Sequence, residues 1–295
     1  MTRIRRHTAV FAALAIGAAA PAFAQQEEAL PEQEGQLPPE EEGLPNDRNS
    51  LTIGIGGAYV PSYEGSDNYI LTPIGIVLGK VGGISFATRG TSLSLDLIPS
   101  DPNDDIFLDL GPTVNVRLDR TSRIRDPQVR ALGEIDTAIE VGGYGAIGKN
   151  GILHQYDSLT LRLTYQHDVT DTHDSGILIP SIEYGTPLSE RTFVQLGLSG
   201  ERVGDGYGLT YFSVSPAGAI ASGLPAYVAD GGWKNYRLSL FGAQVLTGDL
   251  RRPGVALFGG VSYSKVLGDF KRSPIVAIAG DADQYLATLG ISYTF

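Results

Sequence analysis

Alternate positions of this chain differ in character. Read back from the C-terminus, Phe295, Tyr293, Ile291, Leu289, Ala287 and Tyr285 are apolar or aromatic, whereas Thr294, Ser292, Gly290, Thr288, Leu286 and Gln284 are mostly small or polar. A period of two puts the two sets on opposite faces of a strand. The period recurs upstream. Leu51, Ile53, Ile55 and Tyr59 oppose Thr52, Gly54, Gly56 and Ala58, and Ile70, Thr72, Ile74, Ile76 and Leu78 form the next apolar stripe. Shorter pieces carry Ile84 and Phe86, then Leu93, Leu95 and Leu97. Ile106, Leu108, Leu110, Val114 and Val116 oppose Asp109, Asn115 and Arg117; Ile135, Ile139, Val141 and Ile147 oppose Asp136, Glu140 and Tyr144. Further stripes are Leu159–Tyr165 around Arg162, Leu178–Tyr184 around Glu183, Val194–Leu198 before Glu201, Tyr236–Leu240 around Arg237, and Val255–Tyr263.

The pattern predicts an all-β chain of about twelve strands, or ten if the segment 80–98 is a single strand. Most approach the ~9–11 residues that cross a bilayer at a tilt. No helical period of comparable strength appears. A soluble sandwich also alternates, with its polar face in water. In a membrane barrel the apolar stripe meets lipid and the charged face lines the lumen. Connection lengths separate the two. With Leu51 opening the first strand, the connections 61–69, 88–91, 119–134, 168–176, 204–230 and 268–283 fall at one end. The connections 80–82, 99–105, 148–156, 187–190 and 247–252 fall at the other. The long ones are almost all in the first set, as in outer-membrane barrels with long outer loops and short periplasmic turns. An even count then leaves both termini in the periplasm.

Composition adds a compartment. Arg3, Arg5 and Arg6, an apolar run from Val10 to Ala20 and Ala22-Phe23-Ala24 read as a signal peptide over 1–24, cleaved before Gln25. The chain has no cysteine, so a disulfide framework is excluded. Cleavage takes three arginines from the 22 basic residues against 33 acidic ones, a formal charge of −14. With no basic stripe, this argues against a nucleic-acid binder. Residues 25–50 are rich in Glu and Pro and lack aromatics. They are expected to be a disordered acidic periplasmic tail, since they cannot bury enough apolar surface to offset chain entropy. Beyond the leader no apolar run is long enough for a transmembrane helix. The expected fold is therefore an antiparallel transmembrane β-barrel over 51–295.

Several blocks also resemble one family. Tyr59-Val60-Pro61-Ser62-Tyr63-Glu64-Gly65-Ser66-Asp67 stands in the first loop. Tyr207-Gly208-Leu209-Thr210-Tyr211-Phe212-Ser213-Val214-Ser215 follows later, then Ala221–Tyr227 and Gly231-Gly232. Gly268–Val276 and the Tyr-x-Phe terminus complete the set. In order and spacing they resemble the MipA/OmpV family of outer-membrane proteins over roughly 51–295. Ser213 replaces the family's usual glycine, and Arg272 replaces its usual acid. The resemblance implies an outer-membrane barrel. It also implies partners: the founding member joins a lytic murein transglycosylase to a murein synthase, and other members are stress-responsive surface proteins or adhesins. Tyr293 and Phe295 resemble the C-terminal signal read by the barrel assembly machinery.

No catalytic, cofactor or metal site is expected. Beyond the leader the histidines are His154, His167 and His173. A lipid hydrolase using His167 would need a serine partner, and no Gly-x-Ser-x-Gly elbow is present. His167, Asp168, Asp171, His173 and Asp174 lack tetrahedral ligand spacing. Asp109, Arg117, Asp136, Glu140, Arg162, Glu183, Glu201 and Arg237 are expected to form a lumen charge network. The 204–230 loop is long enough to fold inward as a plug, which favours a closed barrel over a small diffusion channel. Tyr59, Tyr63, Tyr207, Tyr211 and Phe212 are expected to anchor the interface or pack loops.

Overall fold

The computed structural model describes residues 49–99, 104–250 and 252–295. The leader and all but the last two residues of the acidic stretch lie outside them. Twelve antiparallel strands close on themselves: β1 (Ser50–Pro61), β2 (Tyr69–Val81), β3 (Ile84–Arg89), β4 (Ser92–Asp96), β5 (Ile106–Arg117), β6 (Ala138–Asn150), β7 (Ser158–Asp168), β8 (Gly176–Pro187), β9 (Thr192–Val203), β10 (Gly232–Val245), β11 (Gly254–Val266) and β12 (Asp283–Thr294). Each pairs with its sequence neighbours, and β1 pairs with β12 from Thr52↔Thr294 to Tyr59↔Ala287. The Phe295 amide adds a bond to the Leu51 carbonyl, 2.9 Å. Closure pairs each strand on both sides, apart from the upper part of β2 beside the short β3, as a spanning sheet requires.

The outer face is apolar. Ile55 is 69% exposed, Tyr285 59% and Leu289 60%, and Leu108, Leu161, Leu196 and Leu240 share that face. In water such a surface would aggregate; facing lipid, it is the expected exterior of a membrane barrel. Tyr59 stacks on Tyr69 outside the wall, and Tyr293 meets Phe295 edge to face at 4.8 Å.

β2 departs from the expected facing. Ile76 pairs with Gly54 and Thr72 with Ala58, both inward, while Leu71 pairs with the outward Tyr59. Ile70, Thr72, Ile74, Ile76 and Leu78 therefore point into the lumen. The strand is apolar on both faces, so its period alone could not choose. Packing chooses: a Cβ at Gly54 would lie 2.7 Å from both Ile76 Cγ1 and Phe258 Cε1. The missing side chain makes room for both inside the barrel.

Segment 80–98 holds two strands, β3 and β4, in a hairpin that turns at Gly90 (φ 61°) and Thr91, and Gly82 and Gly83 (φ 58° and 86°) turn β2 into β3. β3 reaches only as far as Leu78 on β2. Higher up, Thr88 Oγ1 accepts from Val77 N at 3.0 Å. Arg123, from the β5–β6 loop, donates to Leu71 O at 3.1 Å and Thr72 Oγ1 at 2.9 Å. Loop side chains thus satisfy acceptors along the edge that the short hairpin leaves.

The start of β1, the end of β12 and the short turns share one end, hereafter the terminal end. The long connections share the other and carry short helices: α1 (Pro127–Ala131), α2 (Asp205–Tyr211), α3 (Pro216–Ser222), α4 (Gly268–Arg272) and α5 (Pro274–Ala277). The chain shows no helical period of comparable strength to its strand period. None of these exceeds two turns, so no 3.6-residue period could develop. Their local signals are nonetheless present. Asp126-Pro127, Ser215-Pro216 and Ser273-Pro274 each place a capping side chain before a proline at the first helical position. No helix among the described residues is long and apolar enough to cross a membrane.

Candidate functional site

The long loops fold together into a cap over the barrel mouth. One apolar cluster joins the inward strand ends Ile177, Val203 and Val266 to Tyr207, Tyr211 and Phe212 of the 204–231 loop and to Phe270 and Val276 of the 267–282 loop. A second joins Tyr63, Ile124, Val129, Val214, Leu224 and Ile275. Tyr227 packs on both, and its hydroxyl donates to Asp269 O at 2.9 Å. Phe212 is wholly buried, meets Phe270 edge to face at 5.1 Å, and its carbonyl accepts from Ser273 Oγ. The Tyr63 hydroxyl donates to Ala279 O. Burial pushes the Tyr63, Tyr207 and Tyr211 phenols up, so they stay neutral. Ser213, at the family's glycine position, donates to Gly208 O and accepts from Ala229 N. Arg272 pairs with Asp269 within α4.

Beneath the cap lies a buried ionic cluster. Lys234 is wholly buried, with its ammonium 2.7 Å from Glu64 Oε1, 2.9 Å from Glu201 Oε1 and 3.0 Å from the Tyr207 hydroxyl. That hydroxyl donates to Glu64 Oε2 at 2.7 Å and accepts from Arg117 at 2.8 Å. Arg117 Nε lies 2.5 Å from Glu140 Oε1 and a terminal nitrogen 3.3 Å from Glu201. Glu140 also receives Asn115 at 2.7 Å and sits 3.2 Å from His173 Nε2. Each buried charge is thus paired and hydrogen-bonded, the condition under which such a cluster holds. It ties the first loop, the 204–231 loop and four strands into one tier.

A β-bulge brings Lys234 here. Strict alternation with the outward Tyr236 and Leu238 would place it in lipid. The register between β10 and β9 shifts between Trp233 and Asn235, so Lys234 and Asn235 both point inward. A lysine on an apparent lipid stripe was the available signal. Glu64, in a loop, carried no periodic signal at all.

At the loop connection after β5, Asp119 Oδ1 accepts from Glu64 N at 2.7 Å. Burial and the nearby Glu64 carboxylate raise the Asp119 carboxyl to about 6.

Of the charges expected in the lumen, Arg117, Glu140 and Glu201 meet in the tier beneath the cap. Glu183 lies lower down, paired at 2.7 Å with Arg89, which was not among the expected charges, and with Gln195 on the same carboxylate. Arg162 Cζ stands over the Tyr144 ring, 3.7 Å from its centroid, with Asp109 4.0 Å away. Arg237 is inward and exposed, within electrostatic reach of Glu201 but without an ion pair or hydrogen bond to it. Asp136 does not belong: β6 begins at Ala138, and Asp136 is exposed in the preceding loop. A single Ile–Asp step before a strand mimics its period. His154 bonds to Thr186 at the terminal end, His167 faces outward 3.6 Å from Asp174, and His173 is buried under the cap. Among the described residues no cluster of His, Asp or Glu is placed to hold a metal.

A closed twelve-strand barrel with an apolar exterior and a charged interior is an outer-membrane barrel. Residues 53–295 match the family described as MltA-interacting protein MipA. The chain belongs to that family. No curated protein matches it. Solved structures with a like fold include a bacterial polysaccharide outer membrane secretin (10% identity, 84% of this chain and 98% of that one, TM-score 0.33). A Pseudomonas aeruginosa FadL homologue (10%, 84% and 88%, TM-score 0.29) and the outer membrane protein OprD from Pseudomonas aeruginosa (11%, 87% and 96%, TM-score 0.30) are others.

Proposed function

We propose that the chain is a non-enzymatic scaffold of the outer membrane. Its terminal end faces the periplasm and is presented to murein-hydrolysing and murein-synthesising enzymes. The observation that carries this reading is the cap. The mouth is filled by buried aromatic side chains above a paired ionic tier, which favours a scaffold over a diffusion channel. The family's description as an MltA-interacting protein supplies the partner class. On this reading residues 1–24 are a cleaved leader, and residues 25–50 extend from the partner-facing end. His167, turned toward lipid with Asp174 as its partner, takes no part in catalysis.

The test is a pull-down of a lytic murein transglycosylase by the full chain in detergent, against an unrelated barrel. Equal recovery by both overturns the scaffold. Planar-bilayer recording is the companion measurement, in which large, steady openings would overturn the closed-barrel part.

A further inference from the structure

On the outer wall, at the middle of β6, a groove of about 500 Å³ interrupts the apolar surface. Its floor is Gly143 and Gly145, successive outward positions of β6. Leu110 and Pro112 of β5 stand on one side, Leu163 and Tyr165 of β7 on the other. Packing within the protein does not require these two glycines. A Cβ at Gly145 would meet Leu110 Cδ1 at 3.7 Å, an ordinary contact, whereas one on the inward Gly142 would collide with the Tyr165 carbonyl. Glycine inside a strand weakens it and often marks a place where another molecule approaches the backbone closely. The groove opens on the face that meets lipid and is continuous with it, so its occupant is an acyl chain.

Register carries the groove up to the rim. Gly143 pairs with Tyr165, Tyr165 with Leu178, Leu178 with Arg202, and Arg202 with Trp233. All five lie on the outer face, and the row climbs. Gly143 is five residues from the loop end of β6, Tyr165 three from that of β7, Leu178 two from that of β8 and Arg202 one from that of β9. At ~4.8 Å per strand, Arg202 and Gly143 stand ~14 Å apart along the wall. One acyl chain covers that span within its own leaflet, half of a ~30 Å hydrocarbon core.

The upper end of the row carries a charge. The Arg202 side chain is exposed and makes no ion pair or hydrogen bond among the described residues. A cation facing hydrocarbon is costly, so an arginine at the rim reaches for the headgroup layer. Lys265, also on the outer face at this end, is instead held by both oxygens of Asp283, at 2.9 and 3.0 Å. The bulge that turns Lys234 inward leaves Trp233 outside, 49% exposed, directly beside Arg202. Tryptophan marks the membrane interface. A cation at headgroup height thus stands above a groove of acyl-chain character.

We propose that Arg202 and the Gly143–Gly145 groove bind one anionic phospholipid from the leaflet at the loop end. The planar guanidinium takes the phosphate, Trp233 packs beside the headgroup, and an acyl chain runs past Leu178 and Tyr165 into the groove.

The test is native mass spectrometry of the detergent-solubilised full chain titrated with dimyristoylphosphatidylglycerol. Dimyristoylglycerol supplies the chains without phosphate, and inorganic phosphate the charge without chains. Arg202→Gln, Gly145→Leu and the loop control Arg272→Gln are compared with the parent, with melting curves for each. Gly145→Leu fills the groove at a position where the backbone leaves room for a side chain. The parent should retain one phosphatidylglycerol, bound about tenfold more weakly or worse in Arg202→Gln and in Gly145→Leu, and equally well in Arg272→Gln. Unchanged binding in a folded Arg202→Gln or Gly145→Leu chain overturns the proposal. So does binding of dimyristoylglycerol or of phosphate alone as tightly as the whole lipid. A doubled protein mass that disappears in Gly145→Leu assigns the groove to a second copy of the chain and overturns the lipid site.

Discussion

Replacing Lys234 with Met probes the ionic tier at its centre. The ammonium stands between Glu64 at 2.7 Å and Glu201 at 2.9 Å. At an effective dielectric of 20, each contact carries a gross attraction of about 6 kcal/mol, most of it offset by desolvation. Methionine fills a similar volume and removes the charge, leaving Glu64 and Glu201 buried with too few partners. Breaking a buried pair in this way costs about 3–5 kcal/mol. Arg117 still contacts Glu201 at 3.3 Å, and the Tyr207 hydroxyl still reaches Glu64, so the lower half of that range is expected. Because Glu64 sits in the first loop and Tyr207 in α2, the loss falls on the cap. Opening of the cap should become about a hundredfold more populated, since each 1.4 kcal/mol is a factor of ten. Limited proteolysis of purified barrels reads this directly. The 204–231 loop should be cut much faster in Lys234→Met, and Glu64→Gln in the same chain should restore part of the resistance. Unchanged cleavage and an unchanged melting midpoint would refute the reasoning, because the tier would then not hold the cap.

Other outcomes follow from the same geometry. Asp119 has its folded value raised to about 6, above the ~3.9 of an unfolded aspartate. The folded state therefore binds the extra proton, and stability falls as pH rises from about 4 to about 6, then levels. Melting curves should show that fall in the parent and not in Asp119→Asn. Gly54→Ala puts a methyl 2.7 Å from Ile76 and Phe258 and should lower stability by about 1–3 kcal/mol; an unchanged denaturant midpoint would contradict the inward facing of β2. Deleting Phe295 removes its bond to Leu51 and its contact with Tyr293 at the β1–β12 seam. Heat-modifiable, folded barrel should become scarce in outer-membrane fractions, and normal yield would remove the assembly role of this terminus.

Much of the architecture was written in local pattern. Alternation in β5, β7 and β12 fixed which residues meet lipid, because one face of each strand is apolar and the other is not. The contrast between long and short connections assigned the loop end. The final strand's aromatic terminus marked the seam, and the length of the 204–231 segment allowed the plug it forms. Where both faces were greasy, as in β2, the period left the facing open; the side-chain-free column at Gly54 decided it. Asp136 imitated a strand position one step before the sheet begins. Lys234 carried the opposite lesson, since one extra residue in β10 turns an apparent lipid-facing lysine inward. The ionic tier was beyond local reading altogether. Glu64 and Lys234 are 170 positions apart, and Tyr207 reaches Glu64 across 143. Hydrophobic periodicity is a property of a few consecutive residues, so the sequence alone determines strands and their solvent. Which charges meet inside depends on register, closure and loop packing, and only the closed barrel brings them together.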